Sequence, residues 1–282
     1  MPGHIKMAEA IRVLAPPDWR SIAAGANLRR LSHYRDLLAV LSRHRINVRY
    51  KQSRLGGLWA LLQPLAMMLV FTAVFARLVR VPSEGVPYAL FAYAGILPWT
   101  FFSGAVSNGT GSLVGHAALV TKVYFPREIL PLSYVIAAVV DLIIGSVVLV
   151  GLLLFYRVPL TAELLLVVPI AALLAIFALA CGLVLSAVQV RLRDVGVALP
   201  IALQLLMFGS PVLYPLRVVP PAWRTLYLLN PLAGLVDGFR RSVLGVPLDT
   251  QAMALATVIT LVSLRAAYLV FKYADVTVAD VI

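Results

Sequence analysis

The sequence predicts an all-α integral membrane protein, and three observations support this fold class. Hydrophobic residues make up 61% of the 282 residues, charged residues make up only 13%, and the mean hydropathy is +0.94. About a quarter of the residues of a soluble domain are charged, so this composition excludes a soluble fold. In addition, long apolar stretches recur along the chain, and basic residues concentrate before the first of them.

The N-terminal part of the chain is predicted to lie on the cytoplasmic side of the membrane. Residues 1–32 contain scattered prolines, glycines and charges without a sustained period, which is typical of a loosely ordered tail. Residues 33–57 place apolar side chains at helical spacing with arginines between them. This pattern predicts an amphipathic interface helix and a basic linker. We expect the apolar face of the helix to contact either lipid or a packed neighbour.

Residues 58–282 are predicted to form a domain of six transmembrane helices, because six apolar stretches can cross about 30 Å of hydrocarbon. These stretches are residues 58–78, 88–114, 132–156, 163–190, 196–214 and 251–271. An even number of crossings places both termini on one side. Residues 1–57 carry eleven of the 24 Lys and Arg residues, which favours the cytoplasm for both termini. Four arginines between the last two spans oppose this orientation: Arg217, Arg224, Arg240 and Arg241.

The segment TKVYFPREILPLS, residues 121–133, combines charged and aromatic residues between the second and third spans. Pro126 is suited to open a short helix, because it needs no amide partner there. A short amphipathic element at a membrane surface usually contacts another protein, whereas an ordinary loop would anchor its aromatic side chains in the lipid surface. We predict that this segment contacts another protein.

A second irregular region, residues 210–250, lies between the fifth and sixth spans. It contains several prolines and two short amphipathic runs that are separated at Asn230 and Pro231. Neither run can cross a bilayer. Because backbone at membrane depth must be helical or buried in protein, the region is predicted to form a helical hairpin that enters the outer leaflet.

The sequence lacks the motifs of several other function classes. None of its four lysines follows a glycine, so no nucleotide-binding loop is predicted. The four histidines are scattered, and no paired carboxylates suit a metal held against a prenyl diphosphate. The net charge of +12 accompanies neither base-stacking aromatics nor a known module, so lipid head groups rather than nucleic acid are the expected partner.

Seven motifs, in one order along the chain, resemble those of a known family. They are YKQSRLGGLWALLQP at 50–64, VPYALFAYAGILPWTFF at 86–102, TKVYFPREILPLS at 121–133, QVRLRDV at 189–195, SPVLYP at 210–215, LLNPLAGLVDGFRRSVLG at 228–245 and ADVI at 279–282. On these motifs the chain resembles the polysaccharide and polyol phosphate export permeases of the ABC type 2 family. This family is best known for the export of O-antigen, teichoic acid and capsule.

The resemblance implies a homodimer of six-span subunits in the inner membrane of a bacterium. Each subunit would bind a separate ATPase subunit that holds ATP and Mg, with no cofactor in this chain. The dimer would form a channel that exports a glycan attached to a polyprenyl diphosphate. By the same resemblance, residues 33–47 match an interface helix, 116–131 a coupling helix and 218–245 a pair of external gate helices. The tail KYADVTVADVI lacks the charged run expected before the final ADVI.

Four sets of site residues follow from the resemblance and from residue chemistry. The coupling set, with its aromatic side chains inserted into a groove of the ATPase, is Lys122, Tyr124, Phe125, Pro126, Arg127 and Glu128. The set that would bind the lipid diphosphate through charge-assisted hydrogen bonds is Arg49, Lys51 and Arg54. The glycan-channel set is Trp59, Tyr93, Trp99, Phe101, Phe102, Phe208 and Tyr214. The gate set is Pro211, Trp223, Leu226, Tyr227 and Pro231.

Several of these assignments have a simpler alternative. The basic residues would also serve as a topology signal that binds surface lipid, and the aromatic residues would also suit an interfacial belt or helix packing. Asp141, the one acid deep in a span, has either a structural partner or a part in transport. Two other functions stay open: an exporter for a drug or small lipid, and a membrane enzyme that acts on prenyl-linked sugars. The sequence does not name the glycan.

Overall fold

The computed structural model of the protein describes residues 34–51, 58–79, 83, 85–123 and 125–281. Within these ranges the chain forms helices joined by turns, with no β-strand. The all-α class predicted from the sequence is confirmed for this part of the chain. The tail at residues 1–32 and Arg54 of the basic linker lie outside the described residues.

The described helices follow the predicted apolar stretches. They are α1 (Arg35–Lys51), α2 (Leu58–Phe71), α3 (Tyr88–Thr110), α4 (Ala117–Lys122), α5 (Ile129–Phe155), α6 (Val167–Arg191), α7 (Val195–Phe208), α8 (Pro221–Leu228), α9 (Pro231–Leu244) and α10 (Thr250–Val281). A π-helix continues α2 over Thr72–Val79, and short 3₁₀ helices occupy Val114–His116, Ala162–Leu166 and Leu216–Val218.

Four of the described helices are long and apolar enough to cross a membrane. They are α3, α5, α6 together with the 3₁₀ helix before it, and α10. Two further apolar helices, α2 and α7, are shorter, and the 14 residues of α7 extend over about 21 Å. The predicted fifth span was too long at its end, because α7 stops at Phe208 and the chain then turns at Gly209 before Pro211.

The centre of the bundle is α3, which packs against α5, α6, α9 and α2. In the most apolar 18 residues of α3, 78% of the residues are buried, which is far more than in the other three long helices. Gly95 permits the closest approach of α3 to another segment, since a β-carbon there would overlap the carbonyl oxygen of Val212. This contact holds α3 against the turn that follows α7.

Helix α1 packs along α5 in the same direction. Arg45 Nε donates to Ser133 Oγ at 2.7 Å, and the guanidinium lies 3.4 Å above the Tyr134 ring. One and a half turns later, the Tyr50 hydroxyl donates to the Asp141 carboxylate. The first turns of α1 also pack against a buried cluster to which α5, α6 and α10 contribute residues. Of the two expected partners for the apolar face of α1, the structure therefore shows a packed neighbour.

Replacing Gly95 by Ala should destabilise the fold, because the new methyl group would overlap the Val212 carbonyl and lie 3.2 Å from Arg240 Nη1. Overpacking of this kind costs about 1–3 kcal/mol. Gly104→Ala is the matched control on the same helix, since a β-carbon at Gly104 meets nothing within 4 Å. Thermal unfolding in detergent should show a lower midpoint for Gly95→Ala alone. Equal midpoints for the two variants would contradict the close contact.

Candidate functional site

The region between α7 and α10 forms two short helices that meet at the predicted break. Pro231 opens α9, and the Asn230 side chain accepts a hydrogen bond from the Leu232 amide at 3.1 Å, which caps the helix. Gly245 ends α9 with a φ of 67°, a conformation that favours glycine. Local capping chemistry thus fixes where each helix of the hairpin begins and ends.

A buried ionic cluster of Asp237, Arg240 and Arg241 attaches α9 to the rest of the bundle. The Arg240 side chain is completely buried and donates to the carbonyl oxygens of Pro211 at 2.6 Å, Val212 at 3.2 Å and Tyr214 at 3.3 Å. Asp237 lies 3.2 Å from Arg240 and 2.6 Å from Arg241. The cluster lies within one helix and bonds to the turn after α7. Arg240 and Arg241 therefore have structural partners, which accounts for their presence between the last two spans despite the charge rule for topology.

The same Arg240 guanidinium lies 4.1 Å above the ring of Phe91 in α3. One side chain therefore contacts α9, the turn after α7 and the central helix. All but one of the 14 residues of α9 are buried. The sequence interpretation missed this cluster, although an Asp with Arg residues three and four positions later is a signal for pairing along a helix.

By contrast, α8 lies at the surface. Trp223 and Leu226 expose 63% and 61% of their surface. The helix is attached at its edge, where Arg224 pairs with Asp249 and the Tyr227 hydroxyl lies 2.9 Å from that of Tyr214. The predicted gate set is thus divided. Its two prolines, Pro211 and Pro231, are buried in the bundle, and the exposed members are on α8.

On the opposite side of the bundle, the predicted coupling segment has exposed and buried parts. Thr121, Lys122 and Val123, at the end of α4, are exposed. Tyr124 lies outside the described residues, and Pro126 is half-buried. Phe125 exposes only 4% of its surface and belongs to a cluster that includes Leu183 of α6 and Phe271 of α10.

Phe125 was predicted to insert into a partner, and in the structure of this single chain its side chain is buried. The groove that holds Phe125 is built by helices of the same chain, which lie more than 50 positions away in the sequence. Docking of Phe125 on another protein would require it to leave this core. The available contact surface of the segment is therefore the exposed end of α4.

The charged residues of the coupling segment also bond within the chain. Lys272 Nζ lies 2.7 Å from Glu128 Oε2, and Arg127 Nη1 lies 2.9 Å from Asp275 Oδ1. Lys272 and Asp275 are 3.7 Å apart, which joins the two pairs into one network. Arg127 and Glu128 were predicted to surround a contact with the ATPase, and the structure instead uses both to fix the segment to α10.

Burial changes the protonation of a neighbouring group. It lowers the pKa of His116, and the positive charge of Arg45 lowers that pKa further. His116 is therefore neutral at pH 7, and its Nδ1 donates to the Ser112 carbonyl oxygen at 3.0 Å. Burial lowers the pKa of Arg45 as well, though an arginine stays charged. The positive charge between α1 and α5 at this level therefore comes from Arg45 and not from His116.

Most of the predicted channel aromatics lie inside the bundle. Tyr93, Trp99 and Phe102 expose at most 4% of their surface, and Phe102 stacks on Phe177 of α6 at a centroid distance of 5.5 Å. In the structure of this single chain, these three residues pack in the core, and their part in a channel stays a prediction. They are buried because of the central position of α3, which other helices surround.

The other members of the channel set have different environments. Trp59 and Phe208 expose 56% and 49% of their surface, and Tyr214 is half-buried. Phe101 is largely buried but lines a cleft together with Trp59. Of the predicted diphosphate ligands, Arg49 and Lys51 are in the last turn of α1, and Arg54 lies outside the described residues.

Comparison with known proteins finds one matching family and several relatives. The profile of the ABC-2 type transporter family matches residues 36–244. An O-antigen export system permease of Myxococcus xanthus is 32% identical over 215 residues, which cover 76% of this chain and 82% of the relative. A protein of the same name from Klebsiella pneumoniae is 28% identical, covering 74% and 81%. The polysialic acid transport protein KpsM of Escherichia coli is 28% identical, covering 74% and 83%.

Glu128→Gln should destabilise the protein, because the buried Lys272 ammonium would keep only the more distant carboxylate of Asp275. A buried charged group without a full partner costs about 1–3 kcal/mol or more. Asp36→Asn is the control, since the side chains of its ion pair are exposed, by 93% for Asp36 and 82% for Arg35. Thermal unfolding of the single variants and of Glu128→Gln with Lys272→Gln should show a double variant less destabilised than the sum. Simple additivity would indicate that the pair is not coupled.

Proposed function

The chain belongs to the ABC-2 type transporter family, and we propose that it is the membrane subunit of an exporter of lipid-linked polysaccharide in the bacterial inner membrane. The observation that carries the proposal is the extent of the similarity. The family match runs from α1 to the end of α9, and the most similar relatives given above are named as permeases or transport proteins for surface polysaccharides.

We propose that the transported molecule is a polysaccharide attached to a polyprenyl diphosphate. The basic residues at the end of α1, Arg49 and Lys51, with Arg54 after them, would bind the diphosphate at the cytoplasmic surface, because charge-assisted hydrogen bonds are about twice as strong as neutral ones. In this arrangement α2 and α7 complete six crossings and both termini are cytoplasmic.

Energy for export would come from a separate ATPase subunit, which binds ATP and Mg. The exposed end of α4 supplies a surface for this partner, and the ionic network of Glu128 and Lys272 gives the surface a rigid connection to α10. A displacement of α4 would therefore be transmitted to α10, a membrane-crossing helix. Two copies of the chain would form the channel between them.

At the outer surface we propose that only part of the hairpin acts as the gate. Arg240 fixes α9 to the turn after α7, whereas α8 is held by one ion pair, one hydroxyl contact and its single buried side chain, Leu228 at its end. Opening α8 would leave the buried cluster of α9 intact. The moving part would thus carry Trp223 and Leu226, the exposed apolar residues of the predicted gate.

Deletion of the gene should remove the polysaccharide from the cell surface and cause its lipid-linked precursor to accumulate inside. Expression of the chain should reverse both effects. Immunoblots of surface polysaccharide and chromatography of extracted lipid-linked sugars measure the two quantities. An unchanged surface polysaccharide would contradict the proposal, and a new sensitivity to small lipophilic compounds in that case would favour an exporter of drugs or small lipids.

Cysteines at Leu226 of the two copies should crosslink at a different rate during ATP turnover than without ATP, because α8 changes position when the gate opens. The variant should be made with Cys181→Ala, so that no other cysteine reacts. Val258→Cys is the control, since Val258 is exposed on α10 away from the hairpin. Equal rates for Leu226→Cys in both states would show that α8 does not move.

A further inference from the structure

A cleft lies where the C-terminal end of α1 meets the first two turns of α2, and α3 and α5 line it as well. It is open on one side and has a cavity volume of about 80 Å³. Its lining combines aromatic, amide, hydroxyl and carboxylate groups, which are Tyr50, Trp59, Gln63, Thr100, Phe101 and Asp141. The sequence interpretation did not bring these residues together.

The aromatic side chains give the cleft a surface for flat, weakly polar faces. Trp59 exposes 56% of its surface, and Phe101 is held in place by the surrounding core. The face of an aromatic ring carries partial negative charge, so it attracts the C–H face of a sugar ring. Such contact tolerates different sugars, because it requires no particular arrangement of hydroxyl groups.

The polar side chains supply hydrogen bonds on the other side of the cleft. The Tyr50 hydroxyl bonds to Asp141 and fixes the direction of the carboxylate. Thr100 donates to carbonyl oxygens of its own helix at 2.9 Å, which leaves its oxygen as an acceptor, and Gln63 offers both a donor and an acceptor. A carboxylate on an apolar helix of a membrane domain is costly, and such acids usually mark a functional site.

The composition of the cleft selects among possible ligands. Its described lining contains a carboxylate and no Lys or Arg, which is unsuitable for a phosphate. An alkyl chain would offer no hydrogen-bonding group to the amide of Gln63. A neutral ring that carries hydroxyl groups satisfies both the aromatic and the polar groups.

We propose that this cleft binds the sugar residue adjacent to the diphosphate of the lipid-linked substrate. This inference rests on the proposed function. The position agrees with it, because Tyr50 lies between Arg49 and Lys51, the two described residues proposed to bind the diphosphate. The chain would thus distinguish a lipid that carries a sugar from one that does not, and it would not distinguish between polymers of different sequence.

The test compares two probes: polyprenyl diphosphate linked to N-acetylglucosamine, and the same polyprenyl diphosphate without sugar. Their affinities for the purified full chain in nanodiscs are measured by thermophoresis. The wild type should bind the sugar-linked probe about five to ten times more tightly, from the size of aromatic contacts. Trp59→Ala should reduce the ratio to within about twofold, because the principal aromatic surface is lost.

Two further variants act as controls. Trp59→Phe keeps an aromatic face and should retain most of the preference. Leu62→Ala removes an exposed side chain of the same helix that does not line the cleft, and should leave the ratio unchanged. Affinity for the bare lipid diphosphate should stay the same in all variants, which also shows that they are folded.

An equal affinity of the wild type for both probes would overturn the inference, as would a preserved preference in Trp59→Ala. Restoration of surface polysaccharide by the wild-type gene in the deletion strain reports on the proposed function independently. If that restoration succeeds while the sugar preference is absent, only the sugar cleft is refuted. If the gene restores nothing and neither probe binds, both proposals are refuted.

Discussion

The Arg240 guanidinium satisfies three backbone carbonyls in a part of the chain that is not helical. After α7 ends at Phe208, the chain turns, and its carbonyl groups need donors because a bilayer core offers no water. Arg240 supplies these donors, and Asp237 balances part of its charge. The same contact permits α7 to be short, holds α9 inside the bundle and requires Gly95 on the facing helix. The architecture of this end of the bundle depends on this one side chain.

The end of the bundle that carries α4 is organised by contacts to α10 and α5. Phe125 is buried against Phe271, and Lys272 pairs with Glu128, so the segment before α5 and the end of α10 form one packed unit. Helix α1 is fixed to α5 through Arg45 and Tyr50. A displacement of the α4 surface would therefore be transmitted to α5, one of the helices that line the cleft of Trp59 and Asp141.

Features determined by local chemistry could be predicted from the sequence. The apolar stretches located the helices, and Asn230 with Pro231 located the break in the hairpin, because capping depends on neighbouring residues. Contacts between distant residues could not be predicted. The burial of Phe125 could not be foreseen, because residues of α6 and α10, which come much later in the sequence, help to bury it. Tyr93 and Trp99 lie in the N-terminal half of α3, which is apolar on all sides, so this half of the sequence does not show that every direction faces the core.

The claim that this chain is the membrane pathway of a polysaccharide exporter is tested most directly by transport in a reconstituted system. The permease and its ATPase subunit would be inserted into liposomes, and a labelled polyprenyl-diphosphate glycan would be added to the ATPase side. The account predicts ATP-dependent movement of the glycan to the opposite side, where an added glycosidase no longer reaches it. Movement should require both proteins. Movement without the permease, or none with both proteins while ATP is hydrolysed, would contradict the account.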